Sequence, residues 1–169
     1  SKKALGAACA TSGGIALWHG EGVTPEAECM KAHLTGLERI SVTAGDIKEA
    51  VAHLTGPLCD PVIALGCPHS SLEELGEIAG LVAGKDFKDQ LWVFTSRGVY
   101  SLAEEAGHVG AIMAAGGRVF RDTCMVVAPL VEMGWTEVAT NSFKAGHYMA
   151  GMGMKTRIGT IRELLGGNP

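Results

Sequence analysis

Apolar residues fall along the chain in short runs, each closed by a polar turn and followed by a stretch with helical spacing. Val62-Ile63-Ala64-Leu65 is the clearest case. It reads as a buried strand, stops at Gly66-Cys67-Pro68, and is followed by a Ser70…Glu73 capping box that opens an amphipathic helix to about Ala83. Gln90 to Phe94 is a second such strand, ending in Thr95-Ser96-Arg97-Gly98, after which Ser101 and Glu104 cap a helix running to Gly116-Gly117. Arg118-Val119-Phe120 leads into the turn Asp122-Thr123-Cys124, and Met125 to Leu130 reads as strand-like up to Pro129. Glu137-Val138-Ala139 predicts a strand ending in Thr140-Asn141-Ser142-Phe143-Lys144. A Gly-broken helix then carries His147 and Tyr148, and Thr160 with Glu163 caps a short final helix.

The N-terminal part reads in the same way. Lys3 to Thr11 predicts a helix and Ile15-Ala16-Leu17-Trp18 a strand. Thr24-Pro25-Glu26 starts a helix to about Leu37, with Thr as cap and Pro at the first helical position. Arg39 to Thr43 predicts another strand, and Thr43 with Asp46 boxes a helix to Leu54 that Gly56-Pro57 ends. The alternation of strand, polar turn and capped helix implies a mainly parallel sheet with helices on both faces, a three-layer α/β/α domain. No repeat, low-complexity segment or linker interrupts it, so residues 1–169 are expected to form one domain.

Composition narrows the function. The net charge is −4 and no Lys/Arg cluster is interleaved with aromatics, which argues against nucleic acid as a partner. No apolar run approaches the roughly 20 residues of a membrane span, and Ser1-Lys2-Lys3 does not open a signal peptide, so a cytoplasmic location is expected. The five cysteines, Cys9, Cys29, Cys59, Cys67 and Cys124, are scattered and contain no C-x-x-C pair, which suits a reducing compartment.

Chemistry-bearing residues gather at predicted strand ends: Thr43, Cys67 with His69, Ser96 with Arg97, Thr123 with Cys124, and Asn141-Ser142 with Lys144. In a parallel sheet these turns converge on the carboxyl edge, where such folds bind ligands. Arg97 can fork to a carboxylate or phosphate and Lys144 can add a point charge, so a small anionic substrate fits. Each residue also has a plainer reading. Cys67 and Cys124 can be buried structural thiols, His69 can cap its helix or bond Glu73, Ser70, Ser71 and Thr43 are sufficient as caps, and Arg97 and Lys144 can be solvated surface charges. Zinc held by Cys67, His69 and Cys124 is an open alternative to an iron–sulfur cluster, for which two thiolates are too few.

These segments resemble a known family. Ala64-Leu65-Gly66-Cys67-Pro68-His69 with Ser71 to Leu75, Asp122-Thr123-Cys124, and Thr140-Asn141-Ser142 with Lys144, His147 and Tyr148 resemble the large (catalytic) subunit of the aconitase X family. Trp18-His19, Gly22 to Ala27 and Lys155 to Leu164 are similar as well. The resemblance implies an aconitase-like fold and an iron–sulfur-dependent hydro-lyase that removes water from a small anionic hydroxy acid, such as phosphomevalonate or cis-3-hydroxyproline. It implies that Cys67 and Cys124 ligate a 4Fe-4S or 2Fe-2S cluster and that His69, Ser96, Arg97, Asn141, Ser142, Lys144 and His147 line the substrate site. It also implies that this chain is the C-terminal part of a longer subunit. The N-terminal part would supply the remaining ligand, a small swivelling subunit would close the site, and the chain alone would be inactive. The other expectations are a non-catalytic assembly domain and the zinc-binding domain.

Overall fold

The computed structural model describes residues 2–33, 36–88 and 90–166. Five parallel strands form one sheet in the order β3-β2-β1-β4-β5: β1 (Val62–Leu65), β2 (Leu91–Thr95), β3 (Gly117–Arg121), β4 (Glu137–Thr140) and β5 (Lys155–Ile158). The chain winds outward from β1 through β2 to β3, returns to β4 on the other side of β1, and ends at β5. The direction of winding therefore reverses between β1 and β4. That reversal leaves a crevice beyond their carboxyl ends.

Alternation along the strands builds two cores. Leu65, Leu91 and Val93 point to one face, where they pack with α4 (Leu72–Val82), α5 (Arg97–Glu105) and α6 (His108–Ala114) through Leu75, Ile78, Val82, Ala103, Val109 and Ile112. Val62, Ala64, Trp92, Phe94 and Val138 point to the other face, against α7 (Phe143–Gly151) through Ala145 and Met149 and against Met125 and Leu130 of the β3–β4 connection. Each fully buried Leu, Ile or Phe stabilises the fold by about 1.5–3 kcal/mol. Gly146 lets α7 approach β5 closely, because a Cβ there would come within 2.5 Å of Ile158. The three-layer α/β expectation holds.

Some boundaries differ from the sequence reading. The capping box of α4 is Ser71 with Glu74, one residue beyond the expected Ser70 and Glu73. Ser70 is instead buried, its N–H bonded to the Phe94 carbonyl and its own carbonyl accepting from the Thr95 hydroxyl at 2.7 Å. Ser101 caps nothing. Ser96 caps α5, and Ser101 donates back to the Arg97 carbonyl within that helix. Gly107, at φ +79°, splits the expected long helix into α5 and α6. Met125 to Leu130 forms turns rather than a strand, with Leu130 N–H bonded to the nearby Ala128 carbonyl. β5 is a strand that the sequence pattern does not predict, a short edge strand whose Lys155 and Arg157 face solvent.

The N-terminal part holds α1 (Lys2–Gly13), α2 (Ala27–Met30) with a 3-10 turn at Lys31–His33, and α3 (Ala44–His53). Ile15 to Trp18 and Arg39 to Thr43 form no strands, and Leu34 and Thr35 of the expected Thr24–Leu37 helix lie outside the described residues. The Thr43–Asp46 box caps α3 as expected, and the final helix α8 (Ile161–Leu164) opens on the Thr160–Glu163 box.

Candidate functional site at the carboxyl edge of the sheet

Gly66 makes the turn off β1 possible. Its φ is +99°, and a Cβ would lie 2.1 Å from the Phe94 carbonyl oxygen, so no other residue fits. The turn carries Cys67, whose peptide bond to Pro68 is cis, into a nearly closed position with 6% of its surface exposed. Cys124, after β3, comes alongside it, packed against the apolar cluster that includes Cys67. Burial pushes the Cys67 thiol up in pKa, and the neighbouring Cys124 adds to that, while the Ser142 hydroxyl and the Lys144 ammonium act in the opposite direction. A metal cation bound by a thiol displaces its proton, which is how thiol sites couple metal binding to proton release.

Residues after β4 complete one wall. Ser142, 5% exposed, caps α7 by accepting from Ala145 N–H at 3.1 Å, with its hydroxyl near the Cys67 thiol. Asn141 and Cys67 open together onto a cavity of about 720 Å³ at the β1–β4 reversal. Gly159, Thr160, Arg162 and Glu163 after β5, Glu74 and Glu77 of α4, and Lys3 of α1 line the rest. Lys3 donates to the His69 carbonyl at 2.8 Å and pairs with Glu74 at 2.5 Å, and Arg162 pairs with Glu77 at 3.0 Å.

The structure thus brings Cys67, Cys124, Ser142, Lys144 and Asn141 together. His69 is near but engaged elsewhere: its Nε2 lies 2.8 Å from the Thr123 carbonyl. A carbonyl only accepts, so Nε2 carries the proton. Ser96 caps α5 through Val99 N–H. The Arg97 side chain is 79% exposed and its Nε pairs with Asp122 at 3.0 Å. Asp122 also accepts from Arg97 N–H at 2.8 Å, and that backbone bond holds its carboxyl below the usual range. His147 is exposed on α7 with its ring against Tyr148. Cys67, His69 and Cys124 do not assemble as a zinc site. Among the described residues no group of three or more His, Cys, Asp or Glu is placed to hold a metal ion. Sequence reasoning missed Lys3, Glu77, Arg162 and Asp122. Only Asp122, beside Cys124 in the same turn, carried a signal.

Residues 61–166 match the family model described as aconitase X third domain, and residues 1–52 match the aconitase X second domain. The chain is 42% identical to the phosphomevalonate dehydratase large subunit of Methanocaldococcus jannaschii, over 98% of this chain and 41% of that protein. It is 34% identical to the cis-3-hydroxy-L-proline dehydratase of Pseudomonas aeruginosa, over 98% of this chain and 31% of that one. The crystal structure of Thermococcus kodakaraensis aconitase X in its holo-form superposes with a TM-score of 0.88 at 36% identity, covering 98% of this chain and 43% of that chain. The chain spans about two-fifths of the length of the large subunits it matches.

Proposed function

The chain belongs to the aconitase X family, and from that premise we propose that it is the part of a dehydratase large subunit that supplies two thiolates of an iron–sulfur site and one wall of the substrate pocket. The observation that carries this reading is the meeting of Cys67 and Cys124, from loops after two different strands, beside a cavity at the reversal of the sheet. The donor set fits such a cluster in part: two adjacent soft ligands, with the remaining one coming from outside this chain.

Relatives named for phosphomevalonate and for cis-3-hydroxyproline both act on small hydroxy acids, and this chain's substrate belongs to the same class. Dehydration takes a proton from one carbon and hydroxide from its neighbour. The C–H pair becomes the new π bond, and water leaves. Cys67 and Cys124 would hold the cluster, which would supply Lewis-acid chemistry at the leaving hydroxyl. Lys144 provides positive charge toward an anionic substrate, and Asn141 and Ser142 provide neutral donors that fix its orientation. A small subunit closes the cavity from the solvent side. The five free thiols suit a cytoplasmic setting.

An assembly role complements this one. Leu17, Leu37, Ile40 and Val42 are 62–82% exposed, which fits a surface covered by the rest of the large subunit.

The test uses the complete large subunit bearing this chain, with its small subunit, reconstituted anaerobically with iron and sulfide. The expected outcome is visible absorbance and formation of an unsaturated acid from phosphomevalonate or cis-3-hydroxyproline. Both should be lost in Cys67→Ser and Cys124→Ser, with far-UV circular dichroism unchanged. Dehydration by the double variant at the wild-type rate would end the ligand assignment.

A further inference from the structure

Cys67 follows β1 and Cys124 follows β3, yet β2 lies between those strands. Neighbouring strands run about 4.8 Å apart, so the two loops leave the sheet roughly 10 Å from each other. Their thiols meet only because both loops lean over the end of β2. Asp122 and His69 make hydrogen bonds at this junction.

Asp122 folds the chain back onto β2. It is one of two non-glycine residues with a positive φ among the described residues, at +55°. Its N–H donates to the Thr95 carbonyl at 2.9 Å, at the last residue of β2. Its carboxylate accepts from Arg97 N–H at 2.8 Å and from Arg97 Nε at 3.0 Å, at the start of α5. The post-β3 turn is thereby fixed by three bonds to one place. Thr123 comes next, and its carbonyl accepts from His69 Nε2 at 2.8 Å. His69 in turn belongs to the Cys67 loop, which is tied to the same strand end by Ser70 N–H to Phe94 and by the Thr95 hydroxyl to Ser70. Each half of the bridge is separately anchored, and the His69–Thr123 bond joins the halves.

We propose that His69 and Asp122 are positioning residues that set the separation of the Cys67–Cys124 thiol pair, His69 by joining the two loops and Asp122 by fixing the turn it reaches. This gives His69 and Arg97 a different task from the substrate contact that their sequence setting suggests. Arg97 serves as the anchor for Asp122. The inference uses the reading above only in taking the thiol pair as the working part of the site, and its test needs no cluster.

Phenylarsine oxide reports the pair directly. It condenses with two neighbouring thiols to give a dithioarsinite and one water, and it binds far more weakly to a single thiol. The chain is studied with Cys9, Cys29 and Cys59 changed to Ser, by titrating the loss of free thiol. The parent protein is expected to lose two thiols per arsenical, and Cys124→Ser to bind weakly. His69→Leu should bind about five- to tenfold more weakly, the scale of one lost hydrogen bond. His69→Gln, whose amide N–H reaches the same carbonyl, should restore affinity to within about twofold of the parent. Asp122→Gly accepts the positive φ without strain but removes both carboxylate bonds, and it should weaken binding on the same scale. Parent-like binding by His69→Leu overturns the proposal, as does a His69→Gln variant no better than His69→Leu. Should His69→Leu fail to fold, parent-like binding by Asp122→Gly overturns it. The two readings can fail separately. A complete enzyme active without Cys67 and Cys124 removes the cluster but leaves the bridge standing.

Discussion

Residues 62–166 and residues 2–53 obey different physics. The first stretch has two cores closed around a sheet. In the second, Ala27 is the one buried residue among those described, and Leu5, Ile15, Leu17, Val23, Leu37, Ile40, Val42 and Ile47 stand in water. The two stretches match successive domain models of one family, so the contrast follows a real division of the chain. The N-terminal part meets the rest through α1 packed on α7 and through a few hydrogen bonds. Lys3 reaches Glu74 and His69, and residues 54–60 are stitched along the sheet edge, with Gly56 N–H on the Thr156 carbonyl and the Thr156 hydroxyl on Leu54. One region supplies its own packing, whereas the other carries exposed apolar surface.

The sharpest way to break the comparison is to place the same substitution at a strained glycine in each region. Gly66→Ala puts a Cβ against a carbonyl at a positive φ, and we expect it to prevent folding or to remove more than about 3 kcal/mol. Gly14 also has a positive φ, +61°, but nothing lies within 4 Å of its Cβ position. Gly14→Ala should therefore lose about 1–2 kcal/mol, from backbone strain alone. Urea denaturation measures both, and comparable losses would contradict the division into a packed and an unpacked region.

A second, smaller contrast uses isoleucine. Ile78 is fully buried between α4 and the sheet, and Ile78→Ala should lose about 2–5 kcal/mol. Ile40 is 82% exposed, and Ile40→Ala should change the isolated chain by less than about 0.5 kcal/mol. In the complete large subunit the Ile40 effect should rise above about 1 kcal/mol if that surface is covered there. An Ile40 effect that stays negligible in the complete subunit would remove the assembly role.

The same contrast explains what the sequence made legible. Where an apolar run packs within the chain, as in β1, β2 and β4, pattern and structure agree. Where a run stays exposed, as over most of Ile15 to Trp18 and Arg39 to Thr43, the pattern looks identical but no strand forms among the described residues. Hydrophobicity announces burial without naming the partner. β5 escaped notice because only Thr156 and Ile158 point inward over four residues, too short an alternation to stand out. At the site, the convergence of strand ends was legible from the strand–turn–helix order. Which loops touch was not, since the partner of Arg97 is 25 positions away at Asp122 and Lys3 reaches Glu74 across 71.

The last prediction concerns the joint between the regions, and its effect is the smallest. Glu137 on β4 is 7% exposed and accepts from Cys59 N–H at 2.6 Å, Asp60 N–H at 3.0 Å and Lys155 Nζ at 3.0 Å. The backbone bond from Cys59, then that from Asp60, then the Lys155 contact hold its carboxyl below the ordinary range. Because the folded state holds this proton less tightly than the unfolded chain, the stability it contributes is complete above the unfolded carboxyl pKa of about 4.3. That stability disappears as pH falls through the lower folded value. Glu137→Gln keeps the shape and one acceptor but cannot ionise. Its denaturation midpoint should lie below wild type at neutral pH, and the gap should close as the pH falls below about 4. A gap that persists undiminished into acid would mean that Glu137 acts through packing, and that the charge of this carboxylate does not secure the segment joining the packed region to the open one.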